Sequence, residues 1–447
     1  MKNLRIYRDN IKILGAKICK DLGILLVIDE SNQVCLGVVD KKTKNKDELD
    51  SIYSISIAKN FPLVDLDKGF FYYHLKFIDF QERQKEIQDN IEKLFNFILK
   101  EAIRVEASDI HLENFDQNAW LRFRIDGELQ EVCEIEKEIF NSLCLKIKLE
   151  SKLDITEIKQ AQDGRYSIEL NSIKYDFRIS CIPTYEGESI VLRILHKQKQ
   201  QVNLNWLNLS DNHLNLIQSN LTKSHGIILI TGPTGSGKST TLYAILESFK
   251  NSRKKIITIE DPVEYKIPYA TQIQVIAESD FSFAQALSAI LRQDPDIIMV
   301  GEIRDIKTLE LAFRASLTGH LVFATLHTND AKSTFERLID MGMNKHSILS
   351  SLLMIVSQKL LKKPCSNCQE KRDEGYQSMG CKACNYQGIL GREVVTEVLV
   401  LDKEVKKAIK EDRLEEYLDS NAFETLYCNA LRKQKEGRVV IDTWMSE

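Results

Sequence analysis

The feature that most constrains this chain is a glycine-rich loop between an apolar strand and a helix. Residues 232–239 read Gly-Pro-Thr-Gly-Ser-Gly-Lys-Ser and fit the pattern G-x-x-x-x-G-K-[ST] at every fixed position. The apolar run 227–231 precedes the loop, and residues 240–248 have a helical pattern. Glycines let successive backbone N–H groups converge on one anion, and the helix N-terminus adds positive potential. The sequence therefore predicts a nucleotide phosphate site.

Two side chains of this loop have specific expected roles. Lys238 should neutralise the β- and γ-phosphate oxygens, and the Ser239 hydroxyl should bind Mg²⁺. The residues predicted to bind the nucleotide are Gly232, Pro233, Thr234, Gly235, Ser236, Gly237, Lys238, Ser239 and Thr240.

From about residue 200 onward, apolar strands alternate with amphipathic helices. This alternation predicts an α/β domain, 201–447, with a parallel sheet covered by helices. Upstream, alternating segments at 120–125, 166–170, 175–182 and 190–195 predict the strands of an α+β domain, 106–200. Apolar spacing over 80–104 predicts one helix, which we interpret as a linker at 81–105. Residues 1–80 are expected to form a small N-terminal module.

Composition excludes several classes of protein. The 447 residues contain 61 Lys+Arg and 65 Asp+Glu, a net charge of −4, which gives no global reason to expect nucleic-acid binding. No apolar run reaches the roughly 18 residues that span a bilayer, and no signal peptide is visible. We therefore expect a cytoplasmic chain in which the 10 cysteines do not form a disulfide framework.

Acidic residues follow two of the predicted strands. Glu302 ends the run 294–302, where it can polarise an attacking water or hold Mg²⁺ through water. Residues 260–264 read Glu-Asp-Pro-Val-Glu, and one of these carboxylates is expected to orient water or Mg²⁺. The alternative for Glu302 is an exposed surface acid at the end of a buried strand, and the alternative for 260–264 is a solvated acidic turn.

Two histidines flank the strand 321–325. His327, with Thr328, should lie at the carboxyl edge of the sheet and sense the γ-phosphate. His320, at the other end, is a structural histidine in the alternative interpretation.

Four cysteines form two C-x-x-C pairs separated by twelve residues. Cys365, Cys368, Cys381 and Cys384 would fill all four positions of a tetrahedral ion, which predicts a structural Zn²⁺ knuckle at 365–384. Four metal-free cysteines or two redox pairs are the alternatives.

In this order the motifs closely resemble the bacterial ATPases that power type II secretion and type IV pilus assembly, the GspE/PilB type. Residues 258–264 resemble the family's aspartate box, 294–305 its Walker B segment, and 315–330 its histidine box. The segments 107–113, 122–127, 162–165 and 178–184 resemble its second N-terminal domain. Lys359 and Ile389 depart from the family pattern, which usually has Arg and Tyr there.

The resemblance implies a hexameric, Mg²⁺-dependent ATPase with a RecA-like P-loop domain behind a PAS-like α+β domain. It implies that Arg178 and Arg193 reach the ATP phosphates, with Arg124 and Arg165 as weaker candidates. Glu302 would take the Walker B role and Glu264 the aspartate-box role, and the four cysteines favour the assembly branch over the retraction branch.

The implied partners are an inner-membrane platform protein and a cytoplasmic adaptor, so membrane association would be peripheral. The machine could secrete proteins, build pili or import DNA. A nucleic-acid translocase, a retraction motor and a zinc-knuckle adaptor that uses ATP only as a switch remain as alternatives.

Overall fold

The chain folds into two compact units in the computed structural model. The first unit comprises Met1–Lys197, Cys365–Glu370 and Gln377–Leu390, and the second comprises Gln198–Pro364, Lys371–Tyr376 and Gly391–Glu447. No helix among the described residues is long and apolar enough to cross a membrane. The described residues are 4–7, 10–115, 118–125, 127–170, 172–195, 202–264, 266–275, 281–372, 375–381, 384, 388–419 and 423–441.

The first unit begins with a small sheet whose strand order is β1-β2-β3-β4. Strand β2 is buried almost throughout because its sequence, ILLVI, is apolar on both faces. β2 and β3 pair antiparallel, while β3 and β4 pair parallel. The elements are β1 (Arg5–Ile6), α1 (Asn10–Ile13), α2 (Ala16–Leu22), β2 (Ile24–Ile28), β3 (Val34–Val39), α3 (Lys46–Lys59) and β4 (Leu63–Leu66).

Two helices occupy the stretch that the sequence predicts as one linker helix. α4 spans Lys68–Ile87 and α5 spans Ile91–Arg104. The chain breaks between them because the Asn90 side chain accepts a hydrogen bond from Lys93 N–H at 2.9 Å, which starts a new helix. The apolar spacing continues across the break, so periodicity alone does not reveal it. The expectation of a single helix is therefore wrong.

The larger sheet of the first unit has six antiparallel strands in the order β7-β6-β5-β10-β9-β8. Buried side chains of α5 and α6, including Leu94, Leu99 and Phe140, pack with the apolar side chains of the sheet in one core. The predicted strands of this region are confirmed. The elements are β5 (Asp109–Phe115), β6 (Asn118–Ile125), β7 (Glu128–Ile135), α6 (Lys137–Glu150), β8 (Gln162–Leu170), β9 (Ile173–Thr184) and β10 (Gly187–Leu195).

The second unit is built on a seven-stranded sheet of order β13-β12-β14-β15-β11-β16-β19. The strands from β13 to β16 in this order are parallel, which confirms the predicted parallel sheet. The sheet elements and their connecting helices are α7 (Asp211–Leu221), β11 (Gly226–Thr231), α8 (Lys238–Glu247), β12 (Ile256–Glu260), β13 (Thr271–Gln274), α9 (Phe283–Ile290), β14 (Ile297–Val300), α10 (Ile306–Leu317), β15 (Leu321–Leu326), α11 (Ala331–Asp340) and α12 (Lys345–Ser351).

Apolar cores lie on both faces of this sheet. One core includes side chains from α9 and α10, and the other includes side chains from α7 and α8. Because parallel strands end at one edge, the segments after β11, β12, β14 and β15 share that edge.

Two long strands complete the sheet and were not predicted. β16 spans Leu352–Pro364 and β19 spans Ile389–Val400. Hydrogen bonds from Leu401 N–H to Leu353 C=O (2.9 Å) and from Cys365 N–H to Gly388 C=O (2.8 Å) show antiparallel pairing. The remaining elements are β17 (Gln369–Arg372), β18 (Gly375–Ser378), α13 (Lys403–Lys410), α14 (Leu414–Leu418) and α15 (Leu426–Lys435).

A buried carboxylate on β19 joins two helices to the sheet. Glu397 is 4% exposed. Its Oε1 accepts a hydrogen bond from Ala331 N–H at 2.5 Å, and its Oε2 accepts one from Leu426 N–H at 2.9 Å. These are the first residues of α11 and α15, whose first N–H groups have no partner within the helix. One side chain therefore satisfies the first N–H group of each of two helices.

Candidate functional site

The predicted phosphate loop connects β11 to α8, as its pattern requires. Gly232 and Gly237 have φ angles of +146° and +87°, values at which a side chain is strained. A Cβ on Gly232 would lie 2.3 Å from the backbone oxygen of Gln358 on β16, so only glycine fits there. The loop is thus packed closely against the neighbouring strand on one side.

The loop side chains differ in exposure. Lys238 is buried, and its Nζ donates to the carbonyls of Gly232 (2.8 Å) and Pro233 (3.0 Å). Burial lowers the pKa of Lys238, and the Glu302 carboxylate offsets part of that shift. Ser236 is buried and Ser239, in the first turn of α8, is exposed. The lysine ammonium therefore lies inside the loop, where it can meet a phosphate group.

Glu302 lies just beyond the carboxyl end of β14 and contacts the side chains of Arg304 and His327. Its Oε2 accepts a hydrogen bond from Arg304 at 2.9 Å, and its Oε1 lies 3.2 Å from His327 Nε2. Arg304 also lies 3.6 Å from Asp261 Oδ2. Burial raises the pKa of Glu302, but the hydrogen bond and charge of Arg304, with smaller effects of His327 and Lys238, lower it below its ordinary value. The carboxylate is therefore ionised at neutral pH.

The structure thus brings together two residues singled out in the sequence, Glu302 and His327, and adds Arg304. The arginine was not predicted, although its place two residues after Glu302 in the Walker B resemblance was a usable signal. It ties the segment after β14 to that after β12.

The acidic segment after β12 separates into a buried acid and an exposed one. Glu260 is 4% exposed, and its carboxylate accepts hydrogen bonds from Thr258 (2.5 Å), Gln272 (3.0 Å) and Tyr243. Glu264 is exposed and follows the cis Asp261–Pro262 peptide bond. Glu260 therefore holds neighbouring elements together, while Glu264 keeps a solvent-facing carboxylate.

Buried hydroxyls connect the histidine box to the end of β11. Thr328 Oγ1 lies 2.6 Å from Thr334 Oγ1, which lies 3.3 Å from Thr231 Oγ1. Thr231 Oγ1 in turn lies 2.8 Å from Ser357 Oγ. Thr334 also donates to the carbonyl of Asp330 at 2.6 Å. These contacts fix the segment after β15 against the strand that leads into the loop.

His320 lies at the opposite end of β15 from His327. Its ring Nδ1 lies 2.9 Å from Ala315 O at the end of α10, and its backbone N–H donates to the same carbonyl at 3.2 Å. These bonds satisfy a helix C-terminus. The structural interpretation of His320 therefore holds.

Arg178 and Arg193 lie in the first unit, directly opposite each other on β9 and β10. The register continues this row across the sheet, since Arg165 lies opposite Arg178, Asp109 opposite Arg193, and Arg124 opposite Asp109. Arg193 Nε donates to Asp109 Oδ1 at 2.8 Å, while its side chain is 65% exposed. Residues that are directly opposite share a face, so four arginines and one acid line one face.

Asp109 is the buried member of this row and was not predicted. It accepts hydrogen bonds from Arg193 and from Ser108 (2.7 Å), and it lies 3.6 Å from Arg124 Nε. Burial raises the pKa of Asp109, but these hydrogen bonds and the Arg193 charge lower it by more. Its anionic form holds two arginines in place.

The four cysteines converge as their spacing predicts. Their sulfur atoms all lie within 4.8 Å of one another. The Sγ–Sγ distances Cys365–Cys381, Cys368–Cys384 and Cys381–Cys384 are each 3.8 Å. A tetrahedral Zn²⁺ with Zn–S bonds of about 2.3 Å requires sulfurs about 3.8 Å apart. The donor set therefore fits Zn²⁺.

Backbone N–H groups support these sulfurs. The N–H groups of Cys381 (3.2 Å) and Gly388 (3.3 Å) both donate to Cys384 Sγ. Such bonds orient metal ligands and stabilise thiolates. Cys365 and Cys384 are buried and the other two are half-buried.

The amino-acid sequence is similar to proteins of one known family. The pattern described as "Type II/IV secretion system protein" matches residues 84–446. Type II secretion system protein HxcR of Pseudomonas aeruginosa is 45% identical over 326 residues, 73% of this chain and 70% of that protein. Type II secretion system ATPase E of Vibrio cholerae is 41% identical over 348 residues, 74% of this chain and 69% of that protein.

A solved structure shows the same fold. The pilus retraction motor PilT with bound ADP matches 77% of this chain and 94% of its own chain, with a TM-score of 0.55 and 30% sequence identity.

Proposed function

The chain belongs to the type II/IV secretion system protein family, and we propose that it uses ATP hydrolysis to drive assembly of a pilus or pseudopilus. It has the α/β RecA-like fold of the secretion ATPases. ATP hydrolysis is the activity of this family, so the ATPase expected from the sequence is confirmed. The observation that carries the proposal is the pairing of Glu302 with His327 and Arg304 at the sheet edge that holds the phosphate loop.

We assign nucleotide binding to residues 232–240. The helix start and the Lys238 ammonium supply positive charge, and the loop geometry presents backbone N–H groups. Mg²⁺, when bound, neutralises charge on the phosphate oxygens. Ser239 is the hydroxyl that we assign to the metal, because it is exposed in the first turn of α8.

Glu302 is the residue that we assign to positioning and polarising the attacking water. Its lowered pKa keeps it ionised, so it can accept a hydrogen bond from water. Arg304 and His327 hold one carboxylate oxygen each. His327 is 43% exposed, so it can also reach a phosphate oxygen. Glu264 is the second candidate for orienting water.

Arg178 and Arg193 are our candidates for countering charge on the γ-phosphoryl group. Asp109 fixes the Arg193 guanidinium through Nε, and more than half of that side chain is exposed. A cation at the transferring phosphoryl group stabilises the transition state. Arg124 and Arg165, which lie in the same row, are weaker candidates.

The cysteine cluster and the domains also have proposed roles. We propose that Cys365, Cys368, Cys381 and Cys384 hold a structural Zn²⁺, which the 3.8 Å sulfur spacing supports. We propose PAS-like character for 106–200, supported by its antiparallel sheet packed against helices. We keep 1–80 as a partner-docking module, the linker at 81–105 and the ATPase domain at 201–447.

We further propose a homo-hexamer that acts in the cytoplasm at the inner membrane. Its partners would be the platform protein and an adaptor of the machine, and no direct nucleic-acid binding is expected. The printed names of the relatives, type II secretion system proteins, support this placement.

The test uses the full chain in two assays. Purified protein should release phosphate from Mg²⁺-ATP, and Lys238→Ala should abolish this by removing nucleotide binding. In cells, replacement of the native chain with Lys238→Ala should abolish surface filaments or secretion. The matched control is Lys332→Ala, because Lys332 is a surface lysine of the same unit whose side chain pairs with the exposed Glu415.

The outcomes separate the alternatives. Near-normal hydrolysis by Lys238→Ala would refute the nucleotide assignment. Filaments that assemble but fail to retract would instead indicate a retraction motor, the function named for PilT. Hydrolysis stimulated by single-stranded DNA with steep salt dependence would indicate a translocase.

A further inference from the structure

The side chain of Gln358 on β16 contacts both the phosphate loop and the helix α8 that follows it. Its side chain is 1% exposed. Its Nε2 donates to the carbonyl of Ser236 at 2.7 Å, and its Oε1 accepts from Thr241 Oγ1 at 2.8 Å. Both polar ends of this buried amide are thus bonded to the loop and to the helix that follows it.

The bond to Ser236 fixes the orientation of one peptide plane. Ser236 C=O and Gly237 N–H belong to the same trans peptide, so they point in opposite directions. Because Gln358 holds the carbonyl, the Gly237 N–H must point away from β16. A rotated peptide would turn a carbonyl oxygen, which repels phosphate, towards the side that now carries the N–H.

β16 packs closely against one side of the loop. A Cβ on Gly232 would lie 2.3 Å from Gln358 O, and one on Gly237 would lie 3.3 Å from Gln358 Nε2. The side away from β16 is therefore the one left for an anion. The Ser236 hydroxyl is buried and has no hydrogen-bond partner among the described residues, so it does not hold this peptide.

We propose that Gln358 is a positioning residue for nucleotide binding, which holds the Ser236–Gly237 peptide with its N–H towards the phosphates. Gln358 does not touch the nucleotide and acts through the loop. The inference rests on the proposed function, because it concerns the same phosphate site. A loop N–H serves the phosphates that ATP and ADP share, so both nucleotides should lose affinity together.

The test measures ATP and ADP binding to the full chain by titration calorimetry in Mg²⁺. Gln358→Met fills the same space without either hydrogen bond, and Kd for both nucleotides should rise about tenfold. Gln358→Glu keeps the acceptor for Thr241 but cannot donate to Ser236, and it should lose at least as much affinity. Thr241→Val should have a smaller effect and add little in the Gln358→Met background.

The control is Thr396→Val, which removes a buried hydrogen bond to His213 (2.9 Å) away from the loop. It should lower thermal stability without changing Kd. If the Gln358 variants bind both nucleotides like wild type, or lose ATP but keep ADP, the inference is wrong. If Gln358→Met does not fold, Gln358→Glu decides, because it keeps the size and the Thr241 bond, and an unchanged Kd there rejects the role. Failure of the wild type to bind either nucleotide would instead refute the proposed function.

Discussion

Replacement of Glu397 by glutamine tests how far one side chain stabilises the second unit. Both carboxylate oxygens of Glu397 accept backbone N–H groups, from Ala331 at 2.5 Å and from Leu426 at 2.9 Å. Glutamine has the same shape but only one acceptor oxygen. Its NH₂ group would face an N–H donor, so the start of α11 or of α15 would lose its partner.

The structure sets the size of the effect. The site is 4% exposed, so water does not replace the lost acceptor. A buried donor without a partner costs about 1–3 kcal/mol. For a unit of this size, each kcal/mol lowers the melting temperature by about 3 °C, so a decrease of about 3–9 °C is expected.

The assay is thermal unfolding followed by circular dichroism, with wild type and Glu397→Gln compared in one buffer. The control is Glu415→Gln, because Glu415 pairs with Lys332 at the surface and is 70% exposed. Exposed ion pairs contribute little, so the control should shift by less than about 2 °C. A Glu397→Gln melting curve that coincides with the control would refute the assignment of both helix starts to this carboxylate.

Three further predictions concern the site. Glu302→Gln should reduce turnover at least about 100-fold while ATP still binds. Single-turnover phosphate release measures the hydrolysis rate, and calorimetry measures ATP binding. Loss of ATP binding would contradict the assigned role. Arg304→Met removes the hydrogen bond that lowers the pKa of Glu302. The pKa of Glu302 should therefore rise, and the acid limb of the turnover–pH profile should move to higher pH. An acid limb that does not move would argue against Glu302 as the titrating group. Cys381→Ser should lose its bound zinc, as measured by mass spectrometry. The control Cys428→Ser, at an exposed cysteine outside the cluster, should retain zinc. A wild-type protein without zinc would reject the proposed metal site.

The position of the glycine-rich loop between a strand and a helix was predictable because its signals are local. The apolar run before Gly232 and the helix after Lys238 can be read from neighbouring residues, and β11 and α8 lie there. The two C-x-x-C pairs predicted the convergence of four sulfurs for the same reason. Glu302 could be placed at a strand end, since strand 297–300 was visible as an apolar run.

Features that depend on pairing between distant segments could not be predicted. β16 carries three lysines and the edge strand β19 carries two glutamates, so neither sequence is apolar over its whole length. The contact of Gln358 with Ser236 joins residues 122 positions apart. The row of arginines needs the register of β8, β9, β10, β5 and β6, which no local pattern supplies.

The apolar spacing before residue 104 led to one wrong prediction. The apolar spacing of α5 continues backward into α4, and the sequence therefore predicted one helix where Asn90 begins a second. Both helices contribute apolar side chains to one core, so the spacing continues although the helix is interrupted.

The hydroxyl contacts behind the histidine box restrict how Thr328 can recognise a phosphate. A threonine hydroxyl has a single hydrogen. Thr334 directs its hydrogen to the Asp330 carbonyl at 2.6 Å, so the 2.6 Å contact with Thr328 requires Thr328 to be the donor. Thr328 then has only lone pairs to offer, and a phosphate oxygen needs a donor. In this arrangement the Thr328 hydroxyl holds the segment after β15 against Thr334, and it could donate to a phosphate oxygen only by giving up that bond.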